Sequence, residues 1–318
     1  MNTTKAFACV VTAAILAIAA TPGAGTARVW LTYLGTAGWE ITDGKTVVLV
    51  DPFLTRPRTV IPNDDTLQTD TRPLLTQDDI AQPDTAVIDA HVHRADFILV
   101  THTHSDHVLD LPYIALKTGA TVIGTHSTYN YARASGVPGD KLMIVRGGED
   151  YELGGLSVKV VPSLHGVLRH APFLRRDPNA PLPPAVFPAD ARAPFRLRDL
   201  RIEGGTLAYL IRMNGKQILA FGSMNYIERE IEGLRPDVVL VGAMPERREI
   251  YDYTGRLLRA LGYPHAVMPT HWDRFNVPYD VSQAPALDRL QSFLSEVKTA
   301  SPKSVVIVPR YFDPVAIR

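Results

Sequence analysis

The feature that most constrains the fold is an apolar run that ends in a cluster of histidines, DFILVTHTHSDH at residues 96–107. The apolar part predicts a buried strand. His102 and His104 follow it two residues apart, so on extended backbone their side chains point the same way and can bind one ion. Asp106 and His107 come where the chain turns into a helix expected near Val108, which rotates them toward a neighbouring point. A second ion can be held there.

The residue types indicate which ion this loop prefers. Imidazole nitrogen and carboxylate oxygen without sulfur suit Zn²⁺ first, and Fe or Mn next. Structural zinc sites are closed by four protein ligands, often cysteines, whereas catalytic sites keep an open position and lie where buried strands end. The loop therefore predicts a catalytic metal site with one or two ions.

The rest of the chain predicts two similar halves. Each half begins with antiparallel strands and then alternates strands with helices, which favours two sheets packed face to face with helices outside. Turn residues mark hairpins at DGK (43–45) and NGK (214–216). Helical stretches are expected near 226–233, 252–261 and 284–297. We find no linker between independent domains, so one folded domain is expected over 28–318.

The balanced charge excludes partners that only a strong net charge of the protein would attract. Lys and Arg total 33 and Asp and Glu total 33, so nothing in the overall charge attracts nucleic acid or an anionic membrane. The expected partner is a small-molecule substrate bound at a local site.

The N-terminal residues form a segment of different composition. Lys5 precedes an uncharged apolar run from Ala6 to Ala20, and small residues with a helix breaker follow, which predicts a cleaved signal peptide at 1–27. The alternative, a membrane anchor, needs about 20 apolar residues. We expect a periplasmic or secreted protein that has no stable membrane span after cleavage and no longer contains its single cysteine, Cys9.

A segment rich in Pro and Arg interrupts the strand pattern at about 166–205. It is either a surface insertion without a function or a lid or binding loop, which is the commoner role of so long a loop in a compact domain. His170 lies in this segment and is a candidate for contacting substrate. Arginines of the segment, among them Arg192, Arg196 and Arg198, are candidates for binding an anionic group.

The loop THTHSDH resembles the HxHxDH signature of the metallo-β-lactamase superfamily. The opening YLGTAGWEITDGKTVVLVDPFL is similar to the first strands of that fold, particularly in the branch that includes ascorbate-6-phosphate lactonase. The resemblance implies a four-layer αβ/βα sandwich in which two mixed sheets are flanked by helices. It also implies that VVPSLHG places His165 with His102 and His104, and that VMPTHWD places His271 with Asp106 and His107.

Ser223 is a departure from the family pattern. There a strand ends in Gly-Asp, and the Asp bridges both metals, whereas this chain has Gly222 followed by Ser223 in ILAFGSMNY. A neutral residue there raises the net positive charge of a dinuclear centre by one unit, which weakens retention of the second cation. Three interpretations are possible. The site binds one ion tightly, or it binds two ions with Ser223 as a weak ligand or a hydrogen-bond donor to water. In the third, the site has no catalytic activity. Asp273 and Glu246 are the nearest carboxylates in sequence that could compensate.

The resemblance implies an exported metal-dependent hydrolase that uses metal-activated water on an ester, lactone or phosphoester. Asp106 is expected to orient that water as well as to bind metal, and Tyr226 is a second candidate for contacting substrate. The alternatives are a catalytically silent metal- or ligand-binding protein of the same fold, or a hydrolase that acts on β-lactams.

Overall fold

The structure is a computed structural model that describes residues 28–59, 69–167 and 184–317, and the strands of these residues form two sheets. The first sheet consists of β1 (Val29–Gly35), β2 (Gly38–Thr42), β3 (Val47–Val50), β4 (Phe97–Leu99), β5 (Thr121–Gly124), β6 (Leu142–Ile144) and β14 (Val315–Ile317). Their spatial order is β14-β1-β2-β3-β4-β5-β6. Pairing is antiparallel from β14 to β3 and parallel from β3 to β6.

The second sheet repeats this arrangement. It consists of β7 (Asp150–Glu152), β8 (Leu156–Pro162), β9 (Leu207–Met213), β10 (Lys216–Phe221), β11 (Val238–Gly242), β12 (Ala266–Thr270) and β13 (Val305–Val306). Their order is β13-β12-β11-β10-β9-β8-β7. Pairing is antiparallel from β7 to β10 and parallel from β10 to β13.

Helices cover the outer face of each sheet. The described α-helices are α1 (Thr85–His91), α2 (Ser105–Val108), α3 (Leu111–Thr118), α4 (His126–Ala134), α5 (Glu228–Ile231), α6 (Tyr253–Ala260) and α7 (Ala284–Ala300). Successive residues of a strand face opposite sides. Val50 therefore packs into the core shared with the second sheet, whereas Leu49 packs with Ile114 of α3. Helices α6 and α7 pack on the second sheet through residues such as Phe293.

The predicted four-layer αβ/βα sandwich is confirmed. The hairpin turns at Asn214 and Gly215 as expected, and both residues have positive φ, as the tight turn between β9 and β10 requires. The helix expected near 226–233 is a single turn at α5, and α2 begins at Ser105 rather than near Val108. The earlier start places Asp106 and His107 inside a helix.

The described part of the Pro- and Arg-rich segment packs against the first sheet's helices instead of extending into solvent. Phe187 and Phe195 are buried in the core on that side, and a 3₁₀ helix at Leu197–Arg201 follows. The backbone N–H of Thr103 donates to the carbonyl of Glu203 at 2.9 Å, so this segment lies along the histidine loop.

Two of the sequence predictions fall outside the described residues, namely the signal peptide at 1–27 and the role of His170. Within the part of the chain that the structure describes, none of the helices is long and apolar enough to cross a membrane.

Candidate metal centre

Six side chains meet where strands of both sheets end, and they form two groups. His102 and His104 follow β4 and meet His165, which follows β8. Asp106 and His107 of α2 meet His271, which directly follows β12. Within each group, the potential ligand atoms all lie within 4.8 Å of one another. The structure thus brings together the six residues that the sequence nominated, in the two groups that the resemblance implied.

The first group consists of three imidazoles, and protein atoms contact the outer nitrogen of two of them. The Oγ1 of Thr101 lies 3.1 Å from Nδ1 of His102, and Nδ1 of His165 lies 2.9 Å from the carbonyl of Gly166. The buried Nε2 of His102 has no hydrogen-bond partner among the described residues. The ring centroids of His104 and His165 are 4.7 Å apart. The arrangement leaves Nε2 of His102 and of His165 available to an ion.

The protonation of this first group favours metal binding. Burial and the neighbouring His165 lower the pKa of His104 to about 3, with smaller contributions from His107 and Arg201 and against an opposing effect of Asp106. Burial and the neighbouring histidines also lower the pKa of His102, and burial lowers that of His165. These imidazoles are therefore neutral at pH 7, the form in which histidine binds a metal.

The second group combines one carboxylate with two imidazoles. The Oδ2 of Asp106 lies 3.1 Å from Nε2 of His271 and 3.7 Å from Nε2 of His107. Burial alone raises the pKa of Asp106, but the charges on His107 and His271 hold it well below its usual range. Burial lowers the pKa of His107, but Asp51 and Asp106 more than offset this, so the net shift is upward. This group carries the negative charge of the centre.

Asp51 is a functional residue that the sequence analysis did not nominate. It follows β3, is fully buried, and accepts the Nδ1 proton of His107 across 2.8 Å. Its other oxygen accepts the backbone N–H of Thr101 at 2.7 Å. A carboxylate on the outer nitrogen of a ligand histidine fixes the tautomer and orientation of the ring. The aspartate of LVDP has no local signal for this role, because Asp before Pro is also an ordinary turn pattern.

Ser223 lies in the wall of the same cavity as the six residues. Its Oγ accepts the backbone N–H of Gly166 at 2.9 Å, so the hydroxyl is held beside the loop that carries His165. The preceding Gly222 is needed for close packing, because a Cβ there would overlap Oγ1 of Thr101 and lie 2.5 Å from Oδ2 of Asp51. The serine therefore occupies a closely packed position at the end of β10.

The loop that carries His271 is fixed by a buried ion pair. His271 has a positive φ of 51°, uncommon for a residue other than glycine, and its N–H donates to the carbonyl of Thr36 at 2.5 Å. Asp273 accepts the N–H of Thr36 at 3.0 Å and pairs with Arg56 at 2.7 Å. Tyr33 also donates to Asp273, at 2.9 Å. Asp273 is thus committed to Arg56 and the tyrosine and is not a carboxylate that compensates at the metal centre.

A cavity of about 700 Å³ opens onto both groups of ligands. Its walls are largely apolar and include Phe53, Leu197, Leu200, Met224, Met244 and Phe275. Two charged residues outside the ligand set, Arg201 and Glu246, also line it. Tyr226 is not among the described lining residues, since its ring is buried and its hydroxyl donates to the carbonyl of Tyr253 at 2.9 Å. Tyr226 therefore lies outside the described wall of this cavity, and its contact with substrate stays a prediction.

The donor set fits a divalent metal ion. It contains five imidazoles and one carboxylate, and it lacks sulfur. The buried Nε2 of His102 has no partner in the described part of the chain, a costly state for a polar atom unless something binds there. Such ligands suit Zn²⁺, Fe or Mn.

Together, the fold and the ligand set define a protein that holds metal at the edge of two facing sheets. Residues 30–271 match the model described as the Beta-lactamase superfamily domain, and the chain belongs to the metallo-β-lactamase superfamily. It is 32% identical over 136 residues to a UPF0173 metal-dependent hydrolase of Heliobacterium modesticaldum, which covers 43% of this chain and 45% of that protein. A UPF0173 metal-dependent hydrolase of Carboxydothermus hydrogenoformans is 32% identical over 137 residues, covering 43% and 47%. The chain thus spans less than half the length of these relatives.

Solved structures with the same fold cover nearly the whole chain. Igni18, a metallo hydrolase from Ignicoccus hospitalis, has a TM-score of 0.54 and 17% identity, covering 92% of this chain and 99% of its own. An isothiocyanate hydrolase from Delia radicum gut bacteria has a TM-score of 0.53 and 15% identity, covering 91% and 98%. At these identities the similarity establishes the fold alone. The expected relation to ascorbate-6-phosphate lactonase stays a prediction.

Proposed function

We propose that the protein is an exported metal-dependent hydrolase that acts on an ester, lactone or phosphoester with an apolar body. The observation that carries this proposal is the convergence of the six ligand residues on one apolar cavity. A structural metal site has no need of a cavity beside it, whereas a hydrolase must bring substrate to the ion. The names of the relatives agree with this class of activity.

The protein side chains prepare the site for hydrolysis. When bound, a divalent ion supplies Lewis acidity and lowers the pKa of a water ligand toward about 7. His102, His104 and His165 are neutral at that pH, so each keeps one ring nitrogen free of a proton and able to bind the ion. Asp106 is ionised, so it can accept a hydrogen bond and orient the attacking water. An ionised carboxylate cannot donate a proton to the leaving group, and Asp106 is therefore assigned no such role.

The cavity supports a substrate of modest size with an apolar portion. Its volume of about 700 Å³ lies in the range of sites for small molecules. Phe53 and Phe275 provide aromatic surface, and Arg201 places a positive charge in the wall, near enough to His104 to affect its pKa. Arg201 can attract an anionic group of the substrate or the oxygen that gains charge during attack.

The other arginines proposed for anion binding do not face this cavity where the structure describes them. Arg196 donates to the carbonyl of Asp78, and Arg198 pairs with the carboxylate of the same residue. Arg192 donates to the carbonyl of Asp190 at 2.9 Å on an exposed surface. Arg201 is therefore the arginine proposed to recognise an anion at the site. The sequence alone did not distinguish it from the neighbouring arginines, because only the fold shows which of them lines the cavity.

His104→Ala tests the assignment, with His126→Ala as the matched control because His126 is exposed. Metal content is measured on both purified variants, and turnover is measured on panels of aryl esters, lactones, aryl phosphodiesters and β-lactams with and without chelator. We expect His104→Ala to lose metal and turnover together. Turnover retained by His104→Ala would refute the site. Bound metal without chelator-sensitive turnover on any panel would instead favour the catalytically silent alternative.

Export is proposed from the N-terminal sequence alone. Lys5 and the apolar run after it are the supporting features. N-terminal sequencing of the protein from the periplasmic and culture fractions tests the proposal. Cleavage after Ala27 is expected, and an intact N-terminus found only in the cytoplasm would contradict export.

A further inference from the structure

Ser223 leaves the metal centre short of one negative charge. Asp106 is the only carboxylate among the six converging residues. With two divalent ions bound, replacement of an anionic bridge by a neutral hydroxyl raises the local positive charge and weakens binding of the second ion. A carboxylate elsewhere in the cavity wall would restore the balance.

Glu246 is placed where such a carboxylate is needed. Strands β10, β11 and β12 are parallel neighbours in the second sheet, so their carboxyl ends meet at one edge. Ser223 follows β10 and His271 follows β12. Between them, β11 leads into a 3₁₀ helix at Pro245–Glu249, and Glu246 in that helix lines the same cavity.

The backbone beside Glu246 is held firmly. The next residue, Arg247, is buried and donates to Oε1 of Glu296 in α7 at 2.7 Å. It also donates to the carbonyls of Ala243 and Met244, at 3.0 and 3.2 Å. Arg247 therefore fixes the turn that presents Glu246 to the cavity, and its own charge is neutralised by Glu296.

The carboxylate of Glu246 is not fully hydrogen-bonded within the described part of the chain. Its Oε2 is buried and has no hydrogen-bond partner among the residues that the structure describes. A buried carboxylate is costly unless a cation or hydrogen-bond donors compensate for its desolvation. The Oε2 therefore requires a positive charge or a donor that enters the cavity.

We propose that Glu246 supplies the negative charge that the centre lacks at Ser223 and so retains the second divalent ion. This inference rests on the proposed function. Glu246 belongs to neither group of converging ligand atoms, so it acts as an outer carboxylate, which accepts a hydrogen bond from solvent in the cavity. A member of the superfamily that lacks the bridging aspartate thereby keeps a dinuclear centre through a residue of the 3₁₀ helix that follows the neighbouring strand.

The test compares metal affinity in three variants with the wild type. Glu246→Gln removes the charge at constant size, and Glu249→Gln is the control, because it changes a carboxylate of the same 3₁₀ helix outside the described cavity wall. The third variant combines Ser223→Asp with Glu246→Gln. Zn²⁺ affinity and stoichiometry are measured by competition with a chromophoric chelator and by elemental analysis, without any substrate.

We expect Glu246→Gln to weaken the second ion about 10- to 100-fold and to leave the first unchanged, as for other outer partners of metal sites. Glu249→Gln should match the wild type, and Ser223→Asp should restore the second ion to Glu246→Gln. Unchanged affinity in Glu246→Gln, no rescue by Ser223→Asp, or a wild type that holds one ion would each overturn the inference while leaving the first metal and hydrolysis intact. A wild type that binds no ion would instead overturn the proposed function.

Discussion

Replacement of Asp51 by asparagine tests how the second group of ligands is prepared. Oδ1 of Asp51 accepts the N–H of Thr101 at 2.7 Å, and Oδ2 accepts the Nδ1 proton of His107 at 2.8 Å. In Asp51→Asn we expect the amide oxygen to stay on the backbone N–H of Thr101, because an amide nitrogen cannot accept that hydrogen bond. The amide NH₂ then faces Nδ1 of His107. The imidazole can keep this contact only by moving its proton to Nε2, the nitrogen on the Asp106 side.

The expected loss of metal affinity follows from the loss of the correct tautomer of His107. Loss of an outer partner of a ligand histidine typically lowers metal affinity about 10- to 100-fold, which corresponds to about 1.4–2.8 kcal/mol. The buried hydrogen bond to a charged group contributes a further 1.5–3 kcal/mol or so to the free energy of unfolding. We expect the second ion to be weakened, whereas the first ion is retained because none of its ligands contacts Asp51.

Chelator competition with Zn²⁺ measures both affinities, and Asp96→Asn is the matched control. Asp96 lies at the opposite end of the same pair of strands, where Oδ2 accepts the backbone N–H of Val47 at 2.8 Å. That variant neutralises a carboxylate that likewise accepts a backbone N–H, at a distance from the ligands. Equal second-ion affinity in Asp51→Asn and Asp96→Asn would refute the argument that Asp51 sets the tautomer of His107.

Two further predictions concern pH and the loop of His271. The pKa of His107 is raised and that of His104 is lowered to about 3, so on acidification protons displace metal from the second group first. Stepwise dialysis from pH 8 to about 5 with elemental analysis should show one ion lost before the other, and simultaneous loss would contradict this. Asp273→Asn breaks the buried pair with Arg56 and should lower the free energy of unfolding by about 3–5 kcal/mol in urea titrations. Asp252→Asn, which breaks an exposed pair, should cost less than about 1 kcal/mol, and equal effects would contradict the role of burial.

Local patterns were sufficient to predict most of the fold. Gly residues and turn residues in the sequence delimit β1 and β2, so the bounds of both strands follow from local sequence. The short edge strands β7 and β14 were missed. Each is three residues long and is defined by pairing with a partner strand, β14 with the distant β1, so no local period marks it.

The histidine ligands of the site could be predicted from the sequence, because the residue type and its spacing identify them. Histidines at fixed spacing are rare enough to be recognised, whereas carboxylates are common and need three-dimensional context. Asp273 and Glu246 were equivalent candidates in sequence, and the structure separates them. Asp273 pairs with Arg56, whereas Glu246 lines the cavity and its Oε2 has no partner among the described residues. The role of Asp51 likewise depends on a contact 56 residues away along the chain.

The origin of the ligands in both sheets has a consequence for the lifetime of the protein. An ion in the first group joins His104, beside β4, to His165, beside β8, and so crosslinks the two halves of the chain. A ligand present at about 1,000 times its dissociation constant stabilises the folded state by about 4 kcal/mol. A molecule that has acquired no ion lacks this crosslink, so its folded state is less stable and more readily opened.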